Sequence, residues 1–308
     1  MNAEERRQIS LPDSHSPAFT DTVAEYYNFN TPRFLAGKKR RIQGSIHRKL
    51  FPPGIRSTTL AENFSNRLIL DDLVSAQPRR VLDLGCGIGG SIRYLQVHYP
   101  AEYTGITLSP VQSRMARELG TDVQTADFLD ESWYDSRSPF DYMYAIESIQ
   151  HNPDHGKLAE NLASYSAPGS TLAIIDDFLV GSRTSHGSEH EHGSNGDHVS
   201  DNGNDELIRQ FTKHWYAGGF TYLEDYISLM KHAGFICVEI QDLSSYMKAH
   251  RARTAAAAAL VALLRLRKTQ TPWTDNLIGG TALKRLQNRG VSGYFFLRFR
   301  KQEQEQHQ

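Results

Sequence analysis

Apolar positions change their spacing several times along this chain, and each change predicts an element. Phe19, Val23, Tyr26 and Tyr27 recur at helical spacing, so a helix is expected over 19–29. Pro52-Pro53-Gly54 reads as a turn. Ser57 can cap a helix over about 58–75, with Leu60, Phe64, Leu68 and Leu73 facing inward. From residue 81 short apolar runs alternate with amphipathic stretches. Strands are expected at 81–84, 102–107, 122–126, 140–146 and 170–176, with helices at about 89–98, 109–119 and 155–166. Pro168-Gly169 is expected to end the last of these helices. Such alternation means a doubly wound, mostly parallel α/β sheet.

The pattern breaks at 181–205, which is rich in Gly, Ser, His, Asp and Asn and almost free of apolar residues. That composition cannot bury enough surface to order itself, so a disordered insert is expected. Helices resume at about 205–215 and 221–233, a strand follows at 235–240, and helical sequence covers roughly 245–268 and 280–288. A last strand is expected at 294–299. The chain therefore divides into a flexible amino terminus (1–18), a helical cap (19–75), an α/β domain (76–300) and a tail (301–308). The α/β domain carries the insert at 181–205 and a second, helical insert at 245–290.

Chemistry concentrates where the first strand ends. Val81-Leu82-Asp83-Leu84-Gly85-Cys86-Gly87-Ile88-Gly89-Gly90 runs from a buried strand through a glycine turn into a helix. Glycines bring a ligand against bare main chain, and the helix aims free N–H groups and a positive dipole end at it. Gly85-x-Gly87-x-x-Gly90 also fits a dinucleotide fingerprint. Asp83, expected to point into the crevice, would repel a pyrophosphate and attract a methionine-type ammonium, directly or through water. The second strand ends in Thr107, where a dinucleotide site wants an acid for the ribose.

This stretch, followed by Gly105-Ile106-Thr107-Leu108-Ser109-Pro110-Val111-Gln112, resembles class I S-adenosylmethionine-dependent methyltransferases. The branch it resembles contains tocopherol, sterol, cyclopropane-fatty-acid and natural-product enzymes. The likeness is strong over 78–180, weaker from 205 onward and only suggestive before 75. It implies a seven-stranded sheet whose last strand inserts antiparallel beside the sixth. It implies S-adenosyl-L-methionine as co-substrate, with Asp83, Gly85, Cys86 and Gly87 at its methionine part. Thr107, Leu108 and Gln112 would sit by the ribose. Asp127 would meet the adenine amino group, with Phe128 against the ring and Ala145 at the end of the fourth strand also lining the cofactor site. The plainer readings leave Thr107 as a strand end, Gln112 on the surface and Asp127 as a helix cap. The helical insert at 245–290 departs from the family and is read as part of a substrate cap or a homo-oligomer contact.

The fourth strand's edge, Glu147 to His151, should face the reacting methyl group. Glu147 resembles the acid that carbon-methylating relatives place near a developing cation or a departing proton; otherwise it braces the cofactor loop. His151 is a candidate general base, or a loop residue touching backbone. Tyr26 is a candidate aromatic wall, and Tyr27 and His47 could orient a substrate; packing explains the tyrosines as well. Asp176-Asp177 opens onto the same edge, and no ligand set with metal spacing completes it. His186, His190, His192 and His198 fit no zinc pattern. Lys38 to Arg41, with Arg251, Arg253, Arg265 and Arg267, could receive an anionic substrate or form solvated helix faces.

Bulk properties narrow the class. A net charge of −1 over 308 residues carries no nucleic-acid footprint. Two cysteines make no disulfide framework, and Cys86 reads as small filler. No apolar run resembles a signal peptide or a membrane span, so a cytoplasmic protein is expected. The reading is methyl transfer to a small, hydrophobic, natural-product-like substrate at carbon or oxygen. A nicotinamide-dependent oxidoreductase and a non-catalytic S-adenosylmethionine-binding protein are the alternatives.

Overall fold

Fully buried strands set the centre of the molecule. The computed structural model describes residues 17–35, 46–134, 138–181, 202–247 and 271–303. Val81, Leu82 and Leu84 of β1 (Arg80–Leu84) are covered on both faces of the sheet, which is why they read as an unbroken apolar run. β2 (Glu102–Thr107) and β4 (Phe140–Ile146) flank β1 in parallel. β3 (Val123–Thr125) lies outside β2, and β5 (Ser166–Leu179) lies outside β4. β7 (Ser292–Lys301) then inserts antiparallel between β5 and β6 (Phe235–Asp242). The order is β3-β2-β1-β4-β5-β7-β6.

Helices cover both faces. α3 (Phe64–Ala76), α4 (Gly90–His98) and α5 (Pro110–Glu118) pack Ile69, Leu73, Ile92, Leu95 and Ala116 on one side. α6 (His155–Tyr165) and α8 (Leu223–His232) pack Leu158, Leu162, Tyr226 and Met230 on the other. α7 (Asn202–Trp215) and α9 (Pro272–Asn288) form a separate pair through Leu207, Phe211, Leu283 and Leu286. α1 (Pro17–Leu35) buries Phe19, Val23 and Tyr26 against Tyr216. The chain leaves β1 for β2 on one side and later returns to β4 on the other. The crevice at this switch point, beyond the carboxyl ends of β1 and β4, is where an open α/β sheet binds ligands.

Several expected elements shift. The helix expected over 58–75 is two: α2 (Thr58–Glu62) and α3, separated at Asn63. There the Asn63 side chain donates to the Thr59 carbonyl, which the Asn63 backbone N–H also meets at 3.3 Å. Leu60, in the single turn of α2, is consequently 54% exposed and not inward. Pro168-Gly169 does not end α6, which stops at Tyr165; it lies in β5, where the register against β4 jumps from Ser166 to Thr171. Residues 202–205, expected in the disordered insert, begin α7. The histidines of the insert, Lys38 to Arg41 and the arginines of 251–267 lie outside the described residues.

Candidate active site

A cavity of about 420 Å³ opens at the carboxyl edge of β1, β2 and β4. One wall is the turn after β1. Gly87 adopts φ +57°, and a Cβ built there meets nothing nearer than Gln112 Nε2 at 3.8 Å. Bare main chain therefore faces the cavity. Gly85 has a second constraint: at φ +76° its Cβ would collide with the Ser148 side chain. Cys86 also lines the wall, and burial pushes its thiol well above the ordinary range, so it is no thiolate nucleophile. Ser91, in the first turn of α4, meets His47 Nε2 at 2.8 Å.

Leu108, Ala126, Phe128 and Ile146 give the cavity an apolar part of its lining. Beside it Thr107 Oγ1 donates to Gln112 Oε1 at 2.7 Å, and Gln112 Nε2 donates to Thr31 at 3.0 Å. Gln112 is thus buried, not on the surface. Three expected residues are absent from the cavity lining. Asp127 accepts from the Leu129 N–H and from Thr20 Oγ1. Ala145 is enclosed in the core below the edge. Asp83 gives one carboxyl oxygen, Oδ2, to the Tyr144 hydroxyl at 2.8 Å and is 3% exposed. Burial raises that carboxyl to about 7.

Glu147 follows β4 with φ +55°, a conformation a non-glycine residue holds only when its surroundings impose it. The imposition is visible. Oε1 accepts from the Arg48 backbone N–H at 3.0 Å and from the Tyr294 hydroxyl at 2.8 Å. Oε2 has no partner among the described residues, and Glu147 lines the cavity. Arg48 is ion-paired with Asp177 and stacks over the Tyr294 ring at 4.8 Å. Burial opposes the guanidinium charge, but the Asp177 and Glu147 carboxylates prevail and hold it above its ordinary range. Asp176, also in the lining, accepts from the Ile149 and Asp177 N–H groups, while burial raises its carboxyl strongly.

His151 and Tyr27 meet on the cavity wall, with Nε2 2.6 Å from the phenol oxygen. Nδ1 lies 3.2 Å from the Tyr216 carbonyl. Burial lowers the His151 pKa to about 4, so the ring is neutral near pH 7 and a poor proton store. Tyr26 lines the cavity too, but its hydroxyl is committed to Asn276 Oδ1 at 2.7 Å. Among the described residues no group of three His, Cys, Asp or Glu side chains could hold a metal ion. No helix among them is long and apolar enough to cross a membrane. Arg48 and Tyr294 were not identified from sequence. Tyr294 sits in an apolar strand, and Arg48 lies in a short basic run, His47-Arg48-Lys49, with no spacing to Asp177.

The methyltransferase-domain family matches residues 56–240, more than half of the chain. The chain belongs to that family. Its sheet, with the antiparallel strand inserted before the edge, has the class I methyltransferase fold. Tocopherol O-methyltransferase of Arabidopsis thaliana is 38% identical over 115 residues, 35% of this chain and 32% of that protein. An O-methyltransferase of Penicillium expansum is 34% identical over 184 residues, 56% of this chain and 63% of that protein. The match thus spans about a third of the tocopherol relative. Among solved structures, geranyl diphosphate C-methyltransferase from Streptomyces coelicolor has a TM-score of 0.64 at 16% identity, covering 94% of this chain and 100% of that one. A cyclopropane synthase from Mycobacterium tuberculosis has a TM-score of 0.66 at 16% identity, covering 92% and 98%.

Proposed function

We propose that this protein transfers a methyl group from S-adenosyl-L-methionine to a small apolar metabolite. The site fits that co-substrate by its own geometry. The open main chain at Gly87 suits an amino-acid tail, the apolar lining at Leu108 and Phe128 suits a flat base, and the Thr107–Gln112 pair in the same lining offers polar groups to a ribose. Gly85, Cys86 and Gly87 would hold the methionine part. Asp83 acts from behind, keeping the loop in place through Tyr144 and adding negative charge when ionised. When bound, the co-substrate supplies an electrophilic methyl on sulfonium.

The observation that carries the catalytic reading is Glu147, with one oxygen pinned twice and the other bare toward the cavity. Methylation of a hydroxyl, an enol carbon or an electron-rich ring carbon releases one proton. An anchored carboxylate can accept it without rearranging. His151, kept neutral by burial, is the weaker candidate for that task. Tyr26, Phe34 and Trp215 give the substrate an apolar enclosure that orients it and excludes water. The helix of 17–35 and the α7–α9 pair act as the cap that selects the substrate. The tocopherol O-methyltransferase relative, whose name points to an apolar substrate, agrees with this reading.

The test is transfer of a labelled methyl from S-adenosyl-L-methionine to a panel of phenolic and terpenoid acceptors by the wild type and Glu147→Gln. The variant should keep the fold and lose about 10²- to 10⁴-fold in rate. Full activity in the variant would remove Glu147 from the mechanism.

A further inference from the structure

The contact between Tyr27 and His151 has a direction, and that direction says what the substrate must carry. A backbone carbonyl only accepts hydrogen bonds, so the Nδ1 that faces the Tyr216 carbonyl carries the ring's single proton. Nε2 is then a lone-pair acceptor, and the 2.6 Å contact is donation from the Tyr27 O–H. The carbonyl is fixed in place: Tyr216 follows α7 at φ +51° and buries its ring against Tyr26. The rings of Tyr27 and His151 also pack edge to face, with centroids 5.2 Å apart. With its proton committed to His151, Tyr27 can only accept from a ligand.

We propose that Tyr27 is the specificity-determining residue of this site, accepting a hydrogen bond from a hydroxyl or N–H that the substrate must carry, with His151 as its positioning residue. This deepens the methyltransferase reading and rests on it. Glu147 Oε2 is likewise acceptor-only when ionised, so the two groups select the same class: an apolar molecule with a hydrogen-bond-donating head. If the donating hydroxyl is the group methylated, the product ether loses its only donor. The proton passes to Glu147, and the ether has no hydrogen left to give Tyr27, which favours release.

The probes are para-cresol and its methyl ether, in which an O–CH3 group replaces the O–H donor; the added methyl is common to every variant, so the change in preference between variants carries the reading. Their affinities are read by quenching of protein fluorescence, since Trp215 lines the cavity. The titrations use the full chain, with and without S-adenosylhomocysteine. The wild type should bind para-cresol about tenfold more tightly than the ether. Tyr27→Phe should erase the difference by weakening para-cresol alone. His151→Phe should erase it the other way, because the freed Tyr27 hydroxyl can then donate to the ether oxygen and tighten it. A preference unchanged in Tyr27→Phe, equal binding of the two probes by the wild type, or binding of neither overturns the proposal. Failure to bind S-adenosylhomocysteine strikes the methyltransferase reading instead, and the titrations without it still report on Tyr27. If His151→Phe does not fold, the Tyr27→Phe comparison decides alone.

Discussion

The hydroxyl of Tyr294 donates to Oε1 of Glu147 across 2.8 Å, joining β7 to the end of β4 over the intervening β5. The bond ties the strand that distinguishes this sheet to the residue proposed to receive the proton. Tyr294 is fully buried, and its ring also carries the Arg48 guanidinium.

Removing that hydroxyl should loosen the carboxylate without emptying the cavity. Tyr294→Phe is expected to lower kcat for methyl transfer about tenfold or more, because a small displacement of a reacting group is costly. KM for S-adenosyl-L-methionine should stay near the wild-type value, since Tyr294 is not in the cavity lining. Steady-state kinetics with both substrates varied checks the split.

Asp83 makes stability depend on pH with a definite sign. Its folded pKa is raised to about 7 from 3.8, so the folded state holds the proton more tightly than the unfolded chain. The stabilisation is complete below about pH 4 and is lost as pH rises toward 7, at ~1.4 kcal/mol for each tenfold fall in proton concentration. Asp83→Asn keeps an acceptor for Tyr144 and has no charge to bury. Its advantage in thermal midpoint over the wild type, both ligand-free, should therefore grow from about pH 4 to about pH 8. A constant difference across that range would contradict the assignment.

The two glycines of the turn should respond differently to the same substitution. Both hold positive φ, which costs an alanine ~1–2 kcal/mol. Gly85→Ala adds a collision with Ser148, typically a further ~1–3 kcal/mol. Gly87→Ala meets no such neighbour, and its methyl sits by the cavity near Gln112. Denaturant unfolding should show the larger loss in Gly85→Ala. The weaker S-adenosylmethionine binding at equal folded fraction belongs to Gly87→Ala.

Much of this was legible in the residues because it is local. The runs at Val81 to Leu84 and Met143 to Ile146 announce strands buried on both faces, and Gly85 to Gly90 announces the turn. Thr107 and Gln112 were placed by the likeness of the segment Gly105 to Gln112 to the methyltransferase family. The side-chain partners were not legible. Nothing in the segment of Asp83 shows that Tyr144, 61 residues later, takes one of its carboxyl oxygens. Asp127 likewise closes a local turn with Leu129 instead of facing the cavity. Arg48 and Tyr294 converge on Glu147 from opposite ends of the chain, and no spacing rule links them. Tyr26 and Tyr27 are adjacent, so sequence could not say which hydroxyl stays with the protein and which meets His151.

The measurement that tests the account most directly is calorimetric titration of the ligand-free protein with S-adenosyl-L-methionine and S-adenosylhomocysteine. One site per chain with micromolar affinity for both, weakened in Gly87→Ala, is the predicted result. A folded protein that binds neither, yet binds a nicotinamide dinucleotide, would contradict the central claim.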